Sequence, residues 1–187
     1  MGDSMSIILQ TPSNGSITLS EQNTASNITV TIPATTGTLL TTATAGVPIG
    51  GPAFSADANS ATALANSTNT KIVFNTETFD TNNCFNTANS RFTPTVAGYY
   101  QVNANIQWLG GNLTQQFFTL QLYRNGAVYR ELNVVTYMST YARCVGSSLV
   151  YLNGSTDYLE IYSFQSSGGT VNIQGSEFSG SLVRSAT

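Results

Sequence analysis

The residue best suited to general acid–base chemistry is missing, since none of the 187 residues is histidine. That removes Ser-His-Asp and Cys-His nucleophilic catalysis and the common His-ligated zinc sites. No P-loop and no G-x-G-x-x-G motif occurs either. Two carboxylate pairs remain, Glu77 with Asp80 and Asp157 with Glu160. Glycoside hydrolysis needs two acids near one another. Asp157 follows a turn, however, and Glu160 stands at an alternate strand position, so both are expected to be solvated. Asp80-Thr81-Asn82-Asn83 offers oxygens of the kind calcium takes, but a hydrogen-bonded turn has the same composition. The expectation is a non-enzyme with no cofactor, no metal site and no catalytic residue. Eight tyrosines (99, 123, 129, 137, 141, 151, 158 and 162) would suit a carbohydrate-stacking platform. They equally suit a core and a subunit seam, where tyrosine buries area and satisfies its hydroxyl, and this second reading is preferred. The N-glycosylation tripeptides at Asn14, Asn27, Asn66, Asn112 and Asn153 are what an Asn-, Ser- and Thr-rich chain produces by chance.

The elements that must position these side chains are strands. Asn125-Gly126 in YRNGAVY and Asn153-Gly154 in YLNGSTDY supply the φ > 0 residues of tight hairpins. In the strand from Tyr99, residues Tyr100, Val102, Ala104, Ile106 and Trp108 share one face, and Gln101, Asn103, Asn105 and Gln107 share the other. Such alternation places one face on a core and leaves the other to water or a polar neighbour. Ten strands are expected near 52–57, 71–79, 91–93, 98–108, 115–124, 127–136, 143–152, 157–164, 170–174 and 177–184. Ala58–Thr70 is polar and Ala-rich and reads as a long loop. Many short strands spaced by turn residues imply a sandwich or jelly roll.

Gly46, Pro48, Gly50, Gly51 and Pro52 divide an N-terminal arm, residues 1–46, from a head, residues 47–187. In the arm, Ile17 and Leu19 share one face of a short alternating strand, and Ile28, Val30 and Ile32 share one face of another. Rows this short cannot close their own core, so the arm is expected to attach to partner chains.

Only 8% of residues are charged, and 27 Thr, 21 Ser and 18 Asn take the place of the usual Lys and Glu. A near-neutral polar surface suits a protein packed in an assembly. A net charge of -3 with scattered basic residues argues against nucleic acid as partner. No apolar run approaches the ~20 residues of a membrane helix. MGDSMSIILQ lacks the basic region and long apolar stretch of a signal peptide, so the expected origin is a reducing cytoplasm, with Cys84 and Cys144 as thiols.

Five pieces occur in the order they take in the C1q and tumour-necrosis-factor superfamily. They are Pro52-Ala53-Phe54-Ser55-Ala56, Lys71-Ile72-Val73-Phe74-Asn75, Phe92 followed by Gly98 and Tyr100, Arg124-Asn125-Gly126, and Phe178-Ser179-Gly180-Ser181-Leu182. The head thus resembles that superfamily's globular domain. The resemblance implies an all-β, ten-stranded C1q/TNF-like jelly-roll sandwich that forms homotrimers through an aromatic-rich seam. It also implies that Phe54, Phe74, Phe92, Tyr100, Val102, Trp108, Phe178 and Leu182 belong to the core or that seam. No collagen stalk precedes the head. NTASNITVTIPATTGTLLTT instead resembles segments of bacteriophage tail and virion proteins. Together these imply a virion structural protein, made in the host cytoplasm, whose partners are itself and other capsid or tail proteins. A capsid decoration or cement protein is the first expectation. The alternative is a receptor-binding tail-fibre tip recognising a host-surface glycan or protein.

Overall fold

In the computed structural model the described residues are 6–10, 16–20, 51–109, 117–136 and 141–186. The chain divides into two compact units, Met1–Leu39 and Leu40–Thr187. In the first, β1 (Ser6–Gln10) and β2 (Ser16–Ser20) pair antiparallel, with Leu9 opposite Ile17 and Ile7 opposite Leu19. Ile28, Val30 and Ile32 lie outside the described residues.

The second unit is a two-sheet antiparallel sandwich. One sheet contains β3 (Ala53–Ala58), β4 (Thr62–Leu64), β6 (Thr76–Asp80), β9 (Gly98–Leu109), β12 (Tyr141–Leu152), β14 (Val171–Ile173) and β15 (Ser176–Ser185). Its central order is β12-β9-β15-β3-β6, and β4 and β14 extend it beside the far end of β9. The other sheet contains β5 (Thr70–Lys71), β7 (Phe85–Asn86), β8 (Arg91–Phe92), β10 (Phe118–Arg124), β11 (Ala127–Val135) and β13 (Leu159–Gln165). The alternation read in β9 is the one observed, with Tyr100, Val102, Ala104, Ile106 and Trp108 buried and their neighbours facing out.

Between the sheets lies an aromatic core. The Phe54 ring stacks on Phe92 at 4.3 Å and meets Phe178 edge-on at 4.9 Å, while Phe92 meets Tyr100 at 5.4 Å. Offset and edge-to-face pairs of this kind add to simple area burial. Gly180 makes the packing possible, because a Cβ there would sit 2.9 Å from Val102 Cγ1 and 3.0 Å from the Phe54 ring. The Trp108 indole N–H donates to Ser163 Oγ across the sandwich at 3.3 Å, and Ser163 donates to the Thr119 carbonyl at 2.8 Å, so this buried polar atom is partnered. Cys84 and Cys144 are buried free thiols, and burial pushes the Cys144 thiol up to about 11.

Four sequence expectations are corrected. Residues 71–79 are not one strand: β5 pairs with β13 in one sheet and β6 with β3 in the other. Ile72 and Phe74 sit in the core as the chain crosses, and two core side chains this close outweigh an unbroken ladder. The expected loop at 58–70 contains β4, which uses the open flank of β14. YLNGSTDY is not a hairpin, because β12 before it pairs with β9 and β13 after it pairs with β10. Here Gly154 has positive φ, and the Asn153 carboxamide oxygen accepts the N–H groups of Ser155, Thr156 and Asp157, each at 3.0 Å. By contrast Asn125 and Gly126 both have positive φ, 54° and 79°, and close the β10–β11 hairpin as read. The fourth correction concerns Asp157 and Glu160.

Candidate assembly interface

Asp157 and Glu160 are buried, not solvated. Glu160 Oε1 accepts from Lys71 Nζ at 2.5 Å and from Arg91 Nε at 2.7 Å. The Arg91 guanidinium in turn lies 4.1 Å over the Tyr158 ring. Asp157 Oδ2 accepts from Arg124 Nη2 at 2.6 Å and from the Asn153 N–H at 2.9 Å, and Oδ1 accepts from Asn125 Nδ2 at 2.7 Å. Burial alone would raise both carboxyls. The donors on Asp157, and the Lys71 and Arg91 cations on Glu160, outweigh it and hold both below the ordinary carboxylate range. Both stay ionised at neutral pH with cationic donors bound to them, which suits a structural staple and not a general acid.

Of the other acidic pair only Asp80 is committed. Glu77 is exposed, while Asp80 accepts the Asn82 N–H at 3.2 Å and the Phe85 N–H at 2.6 Å. Its loop is therefore a carboxylate-closed turn. Among the described residues no group of three or more His, Cys, Asp or Glu side chains converges to hold a metal ion.

What stands open is the outward face of the larger sheet. Opposite the core residues of β9, Tyr99, Gln101, Asn103, Asn105 and Gln107 form a row. Register places Tyr151, Leu149, Ser147, Val145 and Arg143 of β12 beside them in that order. On the other flank Ser181, Ser179 and Glu177 of β15 lie beside Gln101, Asn103 and Asn105. Beyond them Ala53, Ser55 and Asp57 of β3 continue the three rows. At the Gly98 end the face is apolar: Tyr99, Leu149, Tyr151 and Val183 are 44%, 50%, 39% and 53% exposed. The Tyr99 and Tyr151 rings meet edge-on at 5.5 Å. A bulge between Leu182 and Arg184 turns Val183 outward, and a shallow hollow of about 550 Å³ opens between Tyr99, Leu149, Val183 and Arg184. Val145 and Phe79 lie farther out on the same face and are also exposed. Four apolar side chains in one cluster at this exposure form an apolar patch of the kind contact surfaces present.

The residues expected in the core or seam fall on the core side. Phe54, Phe74, Phe92, Tyr100, Val102, Trp108 and Phe178 are fully buried within the chain, and Leu182 packs against them. The polar outward row of β9 falls where expected, but Leu149 and Val183 beside it were missed, because apolar residue types look alike in core and seam. One signal was present. In Ser148-Leu149-Val150-Tyr151-Leu152, apolar residues fall on both faces of β12, the pattern of a strand covered on both sides. Of the tyrosines, Tyr123 and Tyr162 stack at 3.8 Å on the other sheet and Tyr129 is exposed. Tyr137 lies outside the described residues.

A family model for the C1q domain matches residues 53–183. The globular domain of zebrafish complement 1qA protein superposes with a TM-score of 0.55 at 19% identity, covering 73% of this chain and 99% of that one. The PRD1 vertex protein P5 does so with a TM-score of 0.52 at 14% identity, covering 71% of this chain and 96% of that one. Murine APRIL at pH 8.0 gives 0.52 at 10% identity, covering 71% and 98%. At these identities the likeness is one of fold. No curated protein matches the chain.

Proposed function

The chain belongs to the C1q domain family, and from that premise we propose that it is a non-enzymatic homotrimer on the surface of a bacteriophage particle. The head, residues 47–187, trimerises through the outward face of the larger sheet. The arm, residues 1–46, attaches the trimer to the capsid as a decoration protein. The carrying observation is the apolar end of that face, where Tyr99, Leu149, Tyr151 and Val183 are only about half covered within the described residues. The near absence of charge supports a protein packed closely against neighbours. Likeness of fold to the PRD1 vertex protein and the virion-type wording of the arm support the particle location.

Three arms held in one trimer act together, so modest contacts from Ile17, Leu19, Ile28, Val30 and Ile32 give firm anchoring through effective concentration. Light scattering of the full chain should give three times the chain mass. Deleting residues 1–46 should leave a trimer that no longer binds particles lacking the protein. Particles without it should lose heat resistance while still adsorbing to cells. If they instead keep their heat resistance and fail to adsorb, the protein is a receptor-binding tip and the decoration assignment is wrong.

A further inference from the structure

Resting on the trimer reading and adding its chemistry, we infer that the seam is held head-to-tail by charge, with Arg143 of one protomer entering the Asp57–Glu177 acidic pair of the next copy. Asp57 and Glu177 are register partners on β3 and β15 and face the same way. Like charges directly opposite on adjacent strands repel. Among the described residues no lysine or arginine forms an ion pair with either. Their donors are neutral: Ser55 Oγ at 3.4 Å and Asn105 Nδ2 at 3.3 Å for Glu177, and Thr78 Oγ1 at 2.8 Å for Asp57. The Asn105 carboxamide Oδ1 beside them is buried and has no partner. The spot is rich in acceptors and short of donors.

The matching donor stands on the same face at its β12 edge, two strands from Glu177 and three from Asp57. Arg143 on β12 is exposed, pairs with no carboxylate among the described residues, and gives Gln107 Oε1 a hydrogen bond at 2.7 Å. A guanidinium carries five N–H donors, so most of its capacity is free. A closed three-fold ring is heterologous: one edge of the patch meets a different edge of the next copy. Opposite charges at two different places on one face are the complementarity such a ring uses, and they also fix its direction. An axis running along the strands leaves every residue at its own height. Arg143 is level with Gln107, and Glu177 with Asn105, two residues along β9. That is a step of about 7 Å, which the two long side chains span. Arg184, the other arginine on this face, is level with Tyr99, six β9 residues or about 20 Å away from Glu177, and does not serve.

The test uses the full chain and sedimentation velocity at low salt over a concentration series. Arg143→Glu and Glu177→Arg should each weaken trimer association about a hundredfold. The neutral changes Arg143→Gln and Glu177→Gln should each weaken it about tenfold, and they keep the test open if a reversal unfolds the chain. An equimolar mixture of the two reversals should regain much of the loss. In a mixed trimer two of the three interfaces set residues 143 and 177 against each other with opposite charges, and only one with like charges. A monomeric wild type overturns the trimer reading and this inference with it. A trimeric wild type whose variants assemble equally well overturns the pairing and leaves the trimer standing. Weakened variants that regain nothing on mixing place the pair inside one chain, which also overturns it.

Discussion

Leu149→Ala separates the outward face of β12 from its core face. Full burial of a leucine side chain is worth ~1.5–3 kcal/mol relative to exposure. Leu149 is 50% exposed in the single chain, so about half of that, ~1 kcal/mol, remains to be gained at an interface. A closed trimer contains three such sites and should lose ~3 kcal/mol, a factor of about a hundred in its association constant. Sedimentation equilibrium over a range of concentrations measures this directly. The companion change is Leu152→Ala, three residues along the same strand but fully buried on the core side. It should cost ~2–5 kcal/mol of fold stability through lost contacts and the cavity left behind. In denaturant titrations the Leu149→Ala deficit should depend on protein concentration, because it acts through association, and the Leu152→Ala deficit should not. If Leu149→Ala leaves association within twofold of wild type, the seam lies elsewhere. If its deficit is as independent of concentration as that of Leu152→Ala, Leu149 belongs to the fold of the single chain.

Three further outcomes are expected. Because Glu160 and Asp157 have folded-state values held below the ordinary carboxylate range, their stabilisation is fully present above ~pH 5 and is lost as pH falls through the folded values. The melting temperature should therefore drop on acidification, and Glu160→Gln should flatten that slope. Glu160→Gln should itself cost ~1–3 kcal/mol at pH 7 by calorimetry, since Lys71 and Arg91 are partly exposed and can turn to water. Gly126→Ala should cost ~1–2 kcal/mol, measured by denaturant titration, because its φ of 79° is left-handed and a Cβ would come within 3.3 Å of the Tyr158 hydroxyl. Reductant should leave the melting temperature unchanged, and thiol reagents should label Cys84 and Cys144 only on unfolding; a drop with reductant would reveal a disulfide worth ~2–5 kcal/mol.

Local periodicity by itself determined the fold class. Alternation in β9 assigns its core residues without reference to any other strand, and Asn125-Gly126 closes a hairpin because two left-handed residues between apolar runs leave the chain few other paths. Both are interactions between neighbours in sequence. Tertiary structure alone decided the fate of Glu160. Its position reads as a solvated strand residue until Lys71 and Arg91, 89 and 69 residues away, are brought to its carboxylate. It also decided that residues 71–79 cross between sheets and that YLNGSTDY does the same, since which strand a segment pairs with is set by partners far along the chain. The outward face follows the same logic. Leu149 and Val150 are adjacent and both apolar, and nothing in their types says which is core. Only the sandwich, with a second sheet on one side of β12 and open surface on the other, makes Val150 part of the fold and leaves Leu149 exposed.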